Sequence, residues 1–355
     1  MTPMRGYIIL QMYTLNLNFV VTLSTIFSNG MKKKHILIAA LLAPVALHAQ
    51  EATYSQTVLR IPMSSHVAAL GGENISVLED TPWSGWSNPA LYSIVSTNSL
   101  GLNFMTYANG GTWAGAQYVR GFGERHTGAV TAQMMSYGSM DETDAEGNVM
   151  GSFSPKDFVI GAGYSYLLSD RWAGGANLNF IYSGYAEYTA FALAVDLGVN
   201  YFNEDSDLSF SVAMRNIGAP LKSFDDRPER LPFNLQAGFT KGIAHAPIRV
   251  SVTLTDLTRW KNSDYFQPDG EKISFGKKLI NHFVVGLDIL PTDYLYLSAG
   301  YNFRRAYELK AAGDGHGAGL TFGAGLQLSR FKLGASYAKY HLAASSLMFN
   351  VGYTL

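Results

Sequence analysis

Residues 317–328 read Gly-Ala-Gly-Leu-Thr-Phe-Gly-Ala-Gly-Leu-Gln-Leu. Gly317, Gly319, Thr321, Gly323, Gly325 and Gln327 occupy the odd positions, and Ala318, Leu320, Phe322, Ala324, Leu326 and Leu328 the even ones. One face is small or polar and the other apolar, which is the period of a β-strand; a helix needs spacings of three and four. The pattern returns at 190–201, with Phe191, Leu193, Val195, Leu197, Val199 and Tyr201 opposed to Ala192, Ala194, Asp196, Gly198 and Asn200. It returns again at 345–355, where Leu347, Phe349, Val351, Tyr353 and Leu355 oppose Ser346, Asn350, Gly352 and Thr354.

Fourteen such segments are predicted: 98–107, 112–122, 126–138, 157–168, 171–183, 190–203, 207–217, 232–242, 247–257, 281–290, 293–303, 317–329, 331–341 and 344–355. Most exceed the five or six residues usual for soluble strands and suit a tilted strand crossing a membrane. The number is even, as an antiparallel outer-membrane barrel requires. Connections alternate in length. Gly123–Arg125, Ser169-Asp170, Asn203–Ser206, Pro291-Thr292 and Ser329-Arg330 are short, whereas 139–156, 218–231, 258–280 and 304–316 are long. Bacterial barrels have short periplasmic turns and long outer loops, so all the long loops fall outside. The expected fold is all-β: a transmembrane antiparallel barrel of about 14 strands. A periplasmic sandwich or propeller would have shorter strands and more even loops.

Composition agrees. The 355 residues carry 26 Lys+Arg and 27 Asp+Glu, and charged residues are only 15% of the chain, below the ~25% of ordinary soluble proteins. Charges gather in loops (Asp141, Glu142, Asp144 and Glu146; Asp264, Asp269, Glu271 and Lys272), and tyrosine pairs such as Tyr164/Tyr166, Tyr182/Tyr185 and Tyr294/Tyr296 suit an interfacial girdle. The absence of cysteine excludes a disulfide scaffold, a Cys-based metal site and a Cys nucleophile, and the net charge of -1 argues against nucleic acid as a partner.

The N-terminus reads as an export signal. Lys32–Lys34, the uncharged Ile36–Leu47 and then His48-Ala49-Gln50 form a basic region, an apolar region and a cleavage site. Translation is expected to start at Met31, residues 1–30 being an upstream gene-model extension, 31–49 a signal peptide and Gln50 the mature N-terminus. A transmembrane helix in 6–30 is the competing reading; the stretch is uncharged but rich in Thr and Asn. Removing 1–49 takes away Arg5 and Lys32–Lys34 and leaves a net charge of -5. The expected location is the Gram-negative outer membrane, with its lipid as the surrounding partner.

Residues 50–97 are too broken by Pro62, Gly71, Gly72, Pro82 and Pro89 to add strands, yet carry Trp83 and Trp86. This segment is expected to fold into the lumen as a plug, because the inward strand faces are unusually small; Gly71, Gly72, Trp86, Asn88 and Pro89 form its motif. Motifs for chemistry are absent. His66, His126, His245, His282, His316 and His341 lack metal-ligand spacing and read as scattered surface residues; 313–319 lacks the Lys-Ser/Thr of a phosphate loop; 141–148 has the wrong spacing for calcium. No catalytic residue, cofactor or metal is assigned. Outer-loop residues Asp225, Asp226, Arg227, Arg230, Trp260, Tyr265 and Phe266 combine aromatic and charged side chains and are candidates for docking a surface partner.

Ser65–Val77 (Ser-His-Val-Ala-Ala-Leu-Gly-Gly-Glu-Asn-Ile-Ser-Val) with Trp86–Ala90 (Trp-Ser-Asn-Pro-Ala) resembles the N-terminal signature of the PorV/PorQ branch of fatty-acid-transporter-like barrels. Within that branch, 141–154, 167–175, 231–239 and 244–247 resemble the PorQ family of the Bacteroidetes type IX secretion system. The likeness spans roughly 52–355. It implies a non-conducting barrel that holds a PorZ-like surface protein beside a sortase and a PorV-like barrel, in a complex attaching secreted cargo to the cell surface. His66 stands where relatives carry an Arg, which implies a weaker ion pair in the lumen. The alternative, implied by the wider superfamily, is a transporter of small hydrophobic molecules. A transporter needs an apolar path with a lateral opening, whereas an anchor needs only large outer loops.

Overall fold

The structure is a computed structural model, and it describes residues 57–144, 146–224, 230–265, 272–313, 317–340 and 344–355. The stretch expected to be a signal peptide, the residues before it, Asp225, Asp226, Arg227 and Phe266 lie outside these residues.

Fourteen antiparallel strands close into a barrel: β1 (Ser99–Thr106), β2 (Thr112–Phe122), β3 (His126–Ser136), β6 (Lys156–Ser169), β7 (Trp172–Tyr185), β8 (Tyr188–Asn203), β9 (Leu208–Lys222), β10 (Asn234–Gly242), β11 (Ile248–Leu254), β12 (Phe283–Thr292), β13 (Leu295–Asn302), β14 (Leu320–Gln327), β15 (Phe331–Ala338) and β16 (Ser346–Thr354). β4 (Met140–Thr143) and β5 (Val149–Phe153) form a separate hairpin in the β3–β6 connection. Each barrel strand pairs with its neighbours in sequence, and β1 closes on β16 with Leu102 opposite Val351 and Phe104 opposite Phe349. Closure leaves no free edge, the condition for strands to cross hydrocarbon.

Alternation sets the two faces. Leu102, Phe104, Val130, Ile160, Leu178, Val212, Leu297, Phe322, Leu333 and Phe349 are exposed outward, a surface for lipid. Between them Asn103, Gln117, Thr131, Asn177, Asp196, Asn200, Thr321 and Asn350 turn inward and are buried. Among the described residues, no helix is long and apolar enough to cross a membrane.

The wall is taller on one side. β6 to β9 have 14–16 residues, β11 only seven. Where the ladder between β8 and β9 shifts at Val195/Leu197, the buried Asp196 accepts from the backbone N–H of Asn216, which adopts φ 59°. Two short helices, α3 (Phe275–Asn281) and α4 (Phe303–Ala311), sit at the long-loop end of the low side. Sequence periodicity assigns their stretches to loops. The structure also turns Tyr296 inward rather than into a girdle: it keeps the alternation of β13, in phase with the buried Ser298 and Asn302 and opposed to the outward Leu297.

Candidate functional site: the plug, its two anchoring clusters and the wall beside it

The lumen is filled by the chain's own N-terminal segment. It contains a 3₁₀ turn (Thr57–Arg60), α1 (Ser65–Ala69), α2 (Ser84–Ser87) and a second 3₁₀ run (Pro89–Ile94). Ser64 starts α1 by accepting from Val67 N, and Asn88 starts the second run by accepting from Ala90 N. Val58, Leu59, Met63, Trp83 and Trp86 pack with the inward Met105, Trp113, Met135, Ile181 and Met348 in one apolar core.

Small wall residues make this fit possible. A Cβ at Gly300 would overlap the Leu70–Gly71 backbone, and one at Gly175 would stand 2.5 Å from the Pro89 carbonyl carbon. Polar wall residues then satisfy the plug's backbone, which inside a barrel has no sheet to join. Thr321 accepts from Gly71 N (3.0 Å) and donates to Ala69 O (2.6 Å). Asn350 donates to Met63 O (2.9 Å) and Asn177 to Gly85 O (3.0 Å). Asn302 donates to Gly71 O (3.1 Å) while its oxygen caps α4 at Arg305 N. Gly71 and Gly72 hold φ of 96° and 89°, a turn that side-chain-bearing residues resist. Trp86, Asn88 and Pro89 are all buried; Trp86 donates to Ile61 O and Asn88 to Ser211 on β9.

Near the short-turn end, His66 lies between two carboxylates. Its Nδ1 meets Glu79 Oε1 at 3.0 Å and its Nε2 meets Asp288 Oδ1 at 2.8 Å, with Tyr296 stacked 4.0 Å from the ring. A ring with a carboxylate at each nitrogen donates from both. Asp288 also accepts from Ser298 (2.6 Å) and lies 3.6 Å from Arg249; Gln327 reaches Glu79. His66 is therefore not a surface histidine, and it contacts two carboxylates where the resemblance implies one weakened ion pair. Beside the cluster opens a polar cavity of about 270 Å³, lined by His66, Glu79, Arg249, Tyr294 and Gln327.

The second cluster, at the long-loop end, is inverted. Asp256 is buried among Arg60 of the plug (3.4 Å), Arg259 (3.2 Å) and Arg304 of α4 (2.7 Å). Burial pushes its pKa up, and the charges of Arg60, Arg304 and Arg259 outweigh burial and hold it below the usual carboxylate range. One of the candidate docking aromatics, Tyr265, closes this cluster, and a second, Trp260, packs beside it. Tyr265 is 5% exposed, donates to Arg259 O (3.2 Å) and carries the Arg304 guanidinium 4.8 Å over its ring. Trp260 is half-buried, stacked on Phe275 at 5.7 Å and 4.2 Å from the ring of His282, a second buried histidine. Arg230 is half-buried at the mouth of β10. Buried cations attract aromatic faces, and a sequence pattern of Trp, Tyr and charge does not tell cover from contact surface.

Outside the wall lies an apolar groove of about 320 Å³ between Trp172, Phe210, Val212, Phe239, Val252, Leu254 and Phe283. Its floor includes Gly238 and Ser211. A Cβ at Gly238 would meet Ile75 of the plug at 2.7 Å, so only one layer of backbone separates groove from plug there.

No family model matches the sequence, and no curated protein does. Solved structures are similar in fold. The Pseudomonas putida toluene transporter TodX aligns with a TM-score of 0.50 at 13% identity, over 85% of this chain and 98% of that one. A deltaS2S3 mutant of TodX, described as a monoaromatic hydrocarbon channel, gives 0.53 at 13% identity over 82% and 99%. A FadL homologue of Pseudomonas aeruginosa gives 0.50 at 10% identity over 82% and 98%. The likeness is one of fold: a closed antiparallel β-barrel shared with these proteins.

Proposed function

We propose that the protein is an outer-membrane channel that passes small hydrophobic molecules sideways through its wall. The observation carrying this reading is the apolar groove over Gly238, backed by the fold likeness to proteins described as toluene and monoaromatic hydrocarbon carriers. The groove has the volume of a small-ligand pocket and almost wholly apolar walls. A hydrocarbon leaving the lumen there would pass from the plug to lipid without meeting water. The closed wall and filled lumen make plug movement the gating step.

The test uses the absence of native cysteine. Ser76 of the plug and Thr240 of β10 have hydroxyls 2.8 Å apart, close enough for a disulfide in Ser76→Cys/Thr240→Cys. In vesicles, oxidation of this variant should abolish protein-dependent toluene uptake, and reductant should restore it. Uptake unchanged by oxidation would overturn the reading.

A second reading is favoured by one observation. The β4–β5 hairpin projects Val149 (64% exposed) and Met150 (72% exposed) at the long-loop end, inside the 141–154 stretch that resembles the PorQ family. Exposed apolar residues on a projecting hairpin suit docking of a PorZ-like surface protein, with a sortase and a PorV-like barrel in the same complex. Val149→Ser/Met150→Ser should then release that partner and stop cargo attachment while toluene uptake stays normal. A partner retained by the double variant counts against this reading.

A further inference from the structure

α3 has its apolar side turned outward. Phe275 is 70%, Leu279 43% and Ile280 50% exposed, and a Cβ at Gly276 would meet nothing within 4 Å. Phe275 and Leu279 are one turn apart and Ile280 adjoins them, so the three form a single face. The opposite side is tied down. Lys278 donates to Trp260 O (2.8 Å), Asn281 is buried, and His282 bonds Thr255 O just past β11 (2.8 Å). The helix is thus held in place, with one side of Phe275 against Trp260 and the rest of its apolar face unpaired.

Two observations indicate what covers that face. α3 leads directly into β12, whose Leu287 and Ile289 belong to the outward apolar surface and whose Phe283 lines the wall groove. The exposed helical face therefore continues the lipid-facing band at its outer end. The segment is also basic: 272–281 contains Lys272, Lys277 and Lys278 and no acidic residue, and Lys272 and Lys277 are exposed. The exposed Val149 and Met150 contrast with it, since Asp141, Glu142, Asp144 and Glu146 surround them with negative charge. An anionic membrane surface attracts the first patch and repels the second.

We propose that α3 is an interfacial anchor. Phe275, Leu279 and Ile280 bed in the acyl chains of the outer leaflet beside β12, and Lys272 and Lys277 meet phosphates of anionic lipid. The partner is the bilayer, and the inference does not rest on the transport reading.

Single-cysteine variants of the full chain, spin-labelled and reconstituted in vesicles, test it. Leu279→Cys and Gly276→Cys are the probes, the second at a position where a side chain meets nothing and both lysines are kept; Phe322→Cys on the barrel wall and Met150→Cys on the hairpin are the references. In phosphatidylcholine with phosphatidylglycerol, the label at 279 should match 322, accessible to oxygen and shielded from a water-soluble nickel chelate. The label at 276 should lose mobility relative to pure phosphatidylcholine, and Lys272→Ser/Lys277→Ser should reduce that loss. A 279 label as open to the chelate as that at 150, while 322 reads lipid, would overturn the anchor and leave the face to a protein partner. A 276 label indifferent to phosphatidylglycerol would overturn the phosphate contact.

Discussion

The two buried charge clusters grip the same plug with opposite polarity. At the short-turn end one cation, His66, is shared by two carboxylates, one on the plug and one on β12. At the long-loop end one carboxylate, Asp256, is shared by three arginines from the plug, its own loop and α4. The difference lies in what can neutralise each. The carboxylates around His66 can take up protons, beside a polar cavity, if their cation is lost. The arginines around Asp256 keep their charge at all accessible pH. The outer cluster is thus the less forgiving, and it joins the plug to the cap, whereas the inner one joins the plug to the wall.

Asp256→Ala should have the largest effect. It strands Arg60, Arg259 and Arg304, and breaking a buried ion cluster in this way costs about 3–5 kcal/mol. Hydrogen exchange should speed up across 57–61 and 303–311, while barrel mobility on unboiled gels stays native. Unchanged exchange would mean that apolar packing alone holds the outer end. The pH dependence follows the same cluster. Because the folded pKa of Asp256 is lowered, its contribution is complete above the ordinary carboxylate value of ~3.9 and is lost as pH falls through the lower, folded value. The stability difference between the parent chain and Asp256→Ala should stay level from pH 8 to about pH 4 and shrink below.

The wall between the clusters separates plug retention from membrane insertion. Phe322→Arg, facing lipid, should cost ~2–4 kcal/mol of barrel stability near the midplane and leave plug exchange unchanged. Thr321→Arg faces the lumen and displaces the residue that bonds both Gly71 N and Ala69 O, so it should release the plug. If both variants changed insertion equally, the assignment of inner and outer faces at β14 would be wrong.

The contrast between wall and lumen also explains what the sequence discloses. Period two runs along most of each strand because each residue sees either lipid or lumen, and each of the fourteen expected segments overlaps one barrel strand, with β6 to β9 and β12 running beyond theirs. The small inward residues, such as Gly198 and Gly323, signal an occupant: a Cβ at the first would meet Asn88 and one at the second Ala69. Neither cluster was legible. His66 and Asp288 are 222 residues apart and Arg60 and Asp256 are 196 apart, so no local spacing reports them. α4 had a signal that went unused: Ala306 and Leu309 are buried at a helical spacing, and Arg304 pairs with Glu308 at i,i+4 (2.8 Å). α3 is only seven residues long and faces its apolar side outward, so burial-based patterns do not reveal it. The inward turn of Tyr296 is legible in the alternation of β13, since Leu297 faces out and Ser298 in; an aromatic pair near a strand end does not by itself mark a girdle.

His66→Leu is the counterpart of Asp256→Ala at the inner end. It leaves Glu79 and Asp288 without their shared donor, and the expected cost is about 2–3 kcal/mol because protonation or water in the adjacent cavity relieves part of the charge. His66→Arg should be far milder, since the longer cation can extend into that cavity and keep both carboxylates paired. Exchange at 65–72 distinguishes the two. If His66→Arg loosened the plug as much as His66→Leu, the cluster would depend on imidazole shape and not on charge.

The smallest effect is expected from Tyr296→Phe. The Tyr296 ring stacks on His66 at 4.0 Å with planes 20° apart, and its hydroxyl bonds Ser65 of α1. The variant keeps the ring and loses the hydroxyl, so a cost of about 1 kcal/mol is expected from one hydrogen bond. Tyr296→Ala also removes the stacking partner and opens the cavity beside His66, and should cost about 3–5 kcal/mol, as aromatic truncations in cores do. Exchange at 65–72 measured in both reports how the inner end is held. A large gap between the two variants assigns the hold to the ring that fixes the imidazole between its carboxylates. Equal effects would assign it to the Ser65 hydrogen bond, and the inner end would then be held by one neutral side-chain bond rather than by its charge cluster.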